Sequence, residues 1–309
     1  YEIVDAAISR RVVSSLKNKE MIRVSIGQVG ERLIATPLSG GAGVSISLVK
    51  ADGLGIIPRN VEGFEAGDTI KVELLKPLEQ IKDTLVSIGS HDLVMDVISD
   101  MMRLSSSHVG SMGGIMSIRR DECHLAPIHL LDMETGVYNI SYVKKYFPKR
   151  SMVIIKGVQR LQGFMVKKGN PHEIKGVEDL TRDGITFANR QRGAGTRVLL
   201  DYRLQLSGIR PEHIKGYARE LPTHMAVAAA VSSGSAVTGL GVLSAANAME
   251  LDFVPLANED YDFLIDAGSL EMDRVKELIS VINSAEFRRR VELMGGYSFE
   301  RTGEIVWIE

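Results

Sequence analysis

Four stretches of this chain carry small polar residues in a pattern suited to anion binding: Gly89-Ser90-His91-Asp92, Val109-Gly110-Ser111-Met112-Gly113-Gly114, Asn189-Arg190-Gln191-Arg192-Gly193-Ala194-Gly195-Thr196-Arg197 and Pro222-Thr223-His224-Met225. Each lies where a helix should begin. A helix start offers free N–H groups and a partial positive charge, so each turn could cradle an oxyanion. The hydroxyls of Ser90, Ser111 and Thr196 add donors. Arg192 and Arg197 bring a fixed fork of N–H groups that suits oxyanions and carboxylates. Ser, Thr and Asp also cap helices where no ligand binds. The set favours a ligand cleft, because glycine accompanies three of the four turns and permits close backbone approach.

The bland roles are expected alongside. One of Arg192 and Arg197 should pair with a surface carboxylate, and His224 reads first as a cap or surface histidine. His124 and His129 flank an apolar strand and read as structural; Asp96, Asp100 and Asp121 read as solvated helix charges. His-x-x-x-His pairs, carboxylate-rich loops and Gly-x-Ser-x-Gly elbows do not occur, so no catalytic residue and no metal site is assigned.

The elements that must position these turns emerge from periodicity. Met21 to Gly27, Arg32 to Thr36, Val44 to Val49 and Thr69 to Leu75 are short, β-branched and alternating, with glycine or proline between them. That spacing predicts a small all-β barrel or sandwich. Pro77 and the charged run Glu79 to Asp83 read as a linker. From Thr84 the rhythm becomes strand, turn, helix. Strands are expected at Thr84 to Gly89, His124 to Leu131, Ser151 to Ile155 and Gly163 to Val166; helices at Asp92 to Leu104, Val198 to Leu206, Met225 to Val231 and Met272 to Leu293. Strands alternating with helices imply α/β topology.

At 309 residues the chain has room for about two domains. Its 44% hydrophobic and 25% charged residues are ordinary for a globular protein. A net charge of −2 argues against nucleic acid as a partner, and the apolar runs are too short for a membrane span. One cysteine excludes an intrachain disulfide framework. The opening Tyr1-Glu-Ile-Val-Asp has no signal-peptide character, so the interior of a longer chain and a cytoplasmic location are expected.

Two resemblances sharpen this. The part from about residue 84 resembles the type II periplasmic-binding-protein fold in the form shared with LysR-type effector domains. The carrying residues are the Gly89-Ser90 and Gly110-Ser111-Met-Gly-Gly turns, Leu161-Gln-Gly-Phe-Met-Val-Lys-Lys-Gly-Asn-Pro as a strand crossing between lobes, Arg192-Gly-Ala-Gly-Thr-Arg, Met225 to Gly241, Tyr261-Asp-Phe-Leu-Ile and Ser284 to Gly296. Val237 stands where that family has an acidic residue, and His224 where molybdate binders tend to be apolar. The first 77 residues are similar to the C-terminal β domain of the molybdopterin molybdenumtransferase family (MoeA, gephyrin), through Pro37-Leu-Ser-Gly-Gly-Ala-Gly-Val-Ser-Ile-Ser-Leu-Val-Lys-Ala-Asp-Gly-Leu, Ile57-Pro, Glu62-Gly and Gly67-Asp.

The resemblances imply a β domain over 1–79 and a two-lobed α/β domain over 80–309. Lobe one takes about 84–160 and 262–309, lobe two about 161–261, with crossings near Gly163 and Tyr261 and two sheets rather than one. They imply a ligand held by Ser90, Ser111, the turn from Arg192 and Gly193 to Thr196, His224 and Tyr261, with Tyr261 closing the cage. A His224 ring facing the anion would tighten binding as pH falls through about 6.5. The expected function is a binding module of molybdenum or tungsten cofactor biosynthesis that holds molybdate or tungstate, with no cofactor and no catalysis within these residues. The expected partners are upstream molybdopterin-binding domains of the same chain and a second copy in a homodimer. The alternative is a sensor or regulatory domain for a small organic anion, a pterin intermediate or a carboxylate, in a wider cleft with an apolar or aromatic wall. The blandest reading is a scaffold domain without a ligand.

Overall fold

The computed structural model describes residues 2–38 and 50–309. The expected strand Val44 to Val49 and the glycines 40 to 43 lie outside the described residues.

The first strands close into a barrel. β1 (Ile3–Ile8), β3 (Glu20–Val29), β4 (Arg32–Pro37), β5 (Gly53–Ile57) and β7 (Thr69–Leu74) are arranged in the order β1-β4-β3-β5-β7. The short β2 (Val12–Val13) and β6 (Gly63–Phe64) pair beside it. Val24, Ile26, Ala35, Ile57, Ile70 and Val72 fill the interior. The expected linker is instead a helix, α1 (Leu78–Lys82), whose Ile81 joins the barrel core. One apolar residue facing the barrel turns a charged run into a helix that connects.

The barrel is fastened to the α/β part of the chain. Asp52, buried, accepts hydrogen bonds from Ser25 Oγ and the Ile26 N–H on β3, from Lys76 Nζ, and from Arg103 Nη2 at 2.7 Å. Ala7, Val29 and Ile34 share a core with Val86 and Ile88. Gly27 permits this approach: a Cβ there would overlap the Val86 side chain and sit 2.9 Å from the Thr84 carbonyl oxygen.

The remaining chain is two-lobed α/β. β8 (Leu85–Gly89), α2 (Leu93–Met101), β9 (Leu104–His108), α3 (Gly110–Arg119), β10 (Ala126–Ile128) and α4 (Ile140–Tyr146) come first. β11 (Met152–Val166) leads to β12 (Phe187–Arg190), α5 (Gly195–Leu206), β13 (Glu220–Leu221), α6 (His224–Ser232), β14 (Thr238–Val242) and α7 (Leu243–Ala248). β15 (Asp252–Asp266) then leads to α8 (Asp273–Asn283), α9 (Ala285–Glu292), β16 (Tyr297–Ser298) and β17 (Ile305–Ile308).

Two expectations are corrected here. The strands foreseen at Ser151 and Gly163 are one 15-residue strand, β11, paired along its length with the equally long β15. The sheet is therefore continuous through both lobes, in the order β10-β15-β11-β14-β12-β13, and β8 pairs with β9 apart from it. The lobes are set by what packs on each half of the long pair. The Met152 end pairs with β17, and the Val166 end pairs with β14. The helix foreseen over Met272 to Leu293 breaks at Ser284, whose backbone is extended and whose hydroxyl caps α9 by accepting from the Phe287 N–H.

His124 holds β8 in place. Its Nδ1 accepts from the Val86 N–H at 3.0 Å, and its own N–H donates to the Val86 carbonyl. Burial, and then Arg274, push its pKa down to about 4. The folded pKa lies below the unfolded one, so the unfolded chain takes up the proton first as pH falls. The neutral ring's contribution is therefore complete above about 6.5 and is lost towards pH 4, by up to about 3 kcal/mol. Denaturant unfolding from pH 7 to pH 4 should show this slope, and His124→Gln should flatten it.

Candidate functional site

The four turns converge. The ends of β8, β9, β12 and β14 and the starts of α2, α3, α5, α6 and α7 surround a cleft of about 860 Å³. Ser90, Ser111, Arg192, Gly193, Thr196 and His224 line it. Tyr261 is not among its walls: it is fully buried, and its hydroxyl donates to the Ser90 carbonyl at 2.7 Å. The cage-closing role expected for Tyr261 is therefore corrected. Strand alternation turns its ring inward, under the Arg160 guanidinium at 5.0 Å, where it supports the Ser90 turn.

The hydroxyls are more committed than the sequence suggests. None of the three is a helix cap. Thr196 Oγ1 donates to Gln162 Oε1 at 3.3 Å, so its proton is taken. Ser111 Oγ accepts from the His129 N–H at 3.1 Å, which leaves its own proton free. Ser90 Oγ lies 2.7 Å from His129 Nε2. The caps are other groups. Asp92 accepts from the Val94 N–H at the start of α2, and Thr223 from the Ala226 N–H at the start of α6. α3 and α5 begin with Val109 and Ala194 in the cap positions and no side-chain cap, so their first N–H groups are open to a ligand.

Arg160 and His129 line the cleft, and Glu259 and Gln162 lie fully buried behind them. Arg160 on β11 stands opposite Glu259 on β15. Its Nε donates to Glu259 Oε2 at 2.6 Å and its Nη1 to Asp92 Oδ2 at 2.5 Å, with Arg160 and Glu259 both essentially excluded from solvent. His129 Nδ1 lies 2.7 Å from Glu259 Oε1, and Gln162 Nε2 donates to Glu259 Oε2. Burial is the largest single influence and disfavours both charges, but the partners together outweigh it: Arg160 and His129 hold Glu259 well below the usual carboxylate range, and Glu259 and Asp92 hold Arg160 above the usual guanidinium one. Hydroxyl, imidazole and carboxylate thus stand in series, Ser90–His129–Glu259, as a hydrogen-bonded relay. The signal that could have found them was polarity out of place: Arg160, Gln162 and Glu259 interrupt apolar strand patterns. The structural role expected for His129 is too narrow, since its ring also lines the cleft.

Arginine supplies the open valences. Among the described residues, Arg160 Nη2 and Arg190 Nε and Nη1 are buried without hydrogen-bond partners, and both side chains line the cleft. Burial, and then Arg160, push the Arg190 pKa down to about 10, which leaves it charged at neutral pH. Arg192 is largely exposed, with only a 3.5 Å approach to Glu220. Arg197 is the arginine that pairs: with both oxygens of Asp201 at 3.1 Å, with Glu220, and over the Tyr217 ring.

His224 lines the cleft, but its expected pH signature is corrected. Burial, then Arg190 and Arg160, push its pKa well below 6.5, and its Nδ1 is buried without a partner. The ring is neutral across the range where it was expected to titrate. Asp96 is not simply solvated either, lying 3.5 Å from His91 Nε2, and the His91 and His108 rings meet 4.2 Å apart at the cleft.

A two-lobed α/β domain with its cleft among helix starts, behind a small closed barrel, defines a binding-protein fold joined to a β module. The chain belongs to the PBP superfamily, whose domain model matches residues 97–283, and the MoeA C-terminal region (domain IV) matches residues 5–75. An uncharacterized protein of Bacillus subtilis (strain 168), YvgK, is 34% identical over 227 residues, 72% of this chain and 73% of its own length. A phosphate ABC transporter substrate-binding protein with bound phosphate from Clostridium perfringens superposes with TM-score 0.51 at 14% identity, over 68% of this chain and 98% of its own. The tungstate ABC transporter protein of Geobacter sulfurreducens does so with TM-score 0.50 at 11% identity, over 68% and 97%. At these identities the two structures show a shared fold.

Gly195 brings lobe two against the relay. A Cβ at this position would overlap the His129 ring and lie 3.0 Å from Glu259 Oε1. Gly195→Ala should therefore destabilise the protein by roughly 1–3 kcal/mol, as overpacking of a rigid site does. Equilibrium unfolding in denaturant measures this; an unchanged midpoint would show that the two sides of the cleft do not meet there.

Proposed function

We propose that the cleft binds a small doubly charged oxyanion, molybdate or tungstate, and that the domain is a binding module of molybdenum or tungsten cofactor biosynthesis. The observation that carries this is the set of unpartnered guanidinium N–H groups on Arg160 and Arg190 inside the cleft. A buried donor left unmade is costly, and a buried charged one more so, so a site that keeps several is built for an acceptor. The open N–H groups at the starts of α3 and α5 and the free Ser111 proton add donors around the same space. Proteins of this fold include a tungstate ABC transporter protein and a substrate-binding protein with bound phosphate, which supports the anion class without selecting within it. The MoeA-type barrel supports the pathway, with upstream molybdopterin-binding domains of the same chain as recipients of the anion.

A second reading has its own observation. A cleft of about 860 Å³ is far larger than four oxygens need, and the His91–His108 pair gives it an aromatic wall. Those features favour a small organic anion, a carboxylate or a pterin intermediate.

Calorimetric titration with molybdate, tungstate, sulfate and phosphate tests the first reading. Hydrogen bonds to charged groups contribute roughly 1.5–3 kcal/mol each, and about 1.4 kcal/mol is a decade of affinity. Arg190→Ala should weaken binding by well over tenfold and Ser111→Ala by about tenfold, while Arg192→Ala should change it less than about twofold. No heat with any of the four anions would exclude the oxyanion and leave the organic one.

A further inference from the structure

We infer that His129 selects the protonation class of the anion: an oxyanion that carries no proton is bound through Ser90 only when His129 is an imidazolium. The inference rests on the oxyanion reading above and names the residue that regulates it.

The protons of the relay can be placed one by one. Glu259 is ionised and accepts only, so His129 Nδ1, 2.7 Å from Oε1, must carry a proton. The state of Nε2 then decides Ser90. In the neutral ring Nε2 is an acceptor, and the single Ser90 proton points to it across 2.7 Å. Ser90 Oγ then offers the cleft only lone pairs, which repel a proton-free oxyanion and suit a ligand that brings a hydrogen. In the imidazolium, Nε2–H donates to Oγ and the Ser90 proton is released toward the ligand. No rearrangement is needed for the exchange. The Ser90 N–H is held by the Pro127 carbonyl and its carbonyl by Tyr261, while Ser111 Oγ fixes the His129 backbone. Thr196 cannot substitute, because its proton goes to Gln162.

The charges around the ring agree with this sign. Glu259 on β15 faces Nδ1, and Arg160 on β11 divides its donors between Glu259 and Asp92. Arg190 on β12 and the neutral His224 on α6 reach the cleft from lobe two, and the Tyr261 ring stacks at 6.0 Å. By linkage, affinity for a proton-free dianion rises as pH falls wherever binding takes up a proton at His129, by up to about tenfold per pH unit.

The experiment is the calorimetric affinity for sulfate and molybdate from about pH 6 to about pH 9, a range in which both anions are proton-free. The expected result is affinity that falls with rising pH in the natural chain and in His213→Gln, a control for an exposed imidazole away from the cleft. The slope should be absent in His129→Gln and in Ser90→Ala, which keep weaker binding. A flat profile in the natural chain, or a slope that persists unchanged in Ser90→Ala, overturns the relay while leaving oxyanion binding intact. No binding of either anion at any pH removes the oxyanion reading and this inference with it.

Discussion

The ion pair between Arg160 and Glu259, placed where the two long strands cross between lobes, is the interaction on which the cleft depends. Both groups are essentially excluded from solvent, and a buried pair recovers its desolvation cost only with close geometry and further hydrogen bonds. Those further bonds are the site itself. Glu259 also takes His129 and Gln162; Arg160 also takes Asp92, which caps α2 and accepts from the Tyr297 hydroxyl. Through Gln162 the network reaches Thr196 at the start of α5. One pair thus connects the turns of both lobes to the strands between them. Such a pair is weak evidence for stability, since apolar packing of equal volume often does as well, and stronger evidence for a built polar network.

The helix starts divide their work. α2 and α6 have side-chain caps, Asp92 and Thr223, which satisfy a first-turn N–H from within the chain. α3 and α5 have apolar residues in the cap position and leave theirs to the cleft. Two of the five helices that begin at the cleft are therefore capped from within the chain, while α3, α5 and α7, the last with Val242 in the cap position, have no side-chain cap. Groups held in place before binding lower the ordering cost of association. The buried arginines add the charge that amide dipoles lack.

The barrel is part of the same frame. Asp52 draws together β3, Lys76 and Arg103, and Arg103 Nε also donates to Thr84 Oγ1 just before β8. β8 ends at Gly89, and the next residue is Ser90. A polar contact at the barrel and the first ligand turn are thus separated by one short buried strand, so the barrel's position and the turn's position are set together.

Much of this was legible in the residues. Alternation in β3, β4 and β7, the strand–turn–helix rhythm after Thr84 and the glycine turns depend on near neighbours alone, and periodicity reports near neighbours. The order of those turns also carried the two-lobed fold and six of the cleft's wall residues. What only the tertiary structure decided depends on contacts between residues far apart in the chain. Arg160 meets Glu259 99 positions away, and His129 meets Glu259 130 positions away. Nothing local distinguishes a strand that ends from one that continues into a second lobe, so periodicity divides β11 into two pieces. Tyr261 shows the same limit: its place at the crossing was visible, but which side of the strand faced the cleft was fixed only when β15 took its register against β11. His224 shows it for charge. Its residue type implied titration near neutral pH, and the arginines and burial that keep it neutral arrive from other strands.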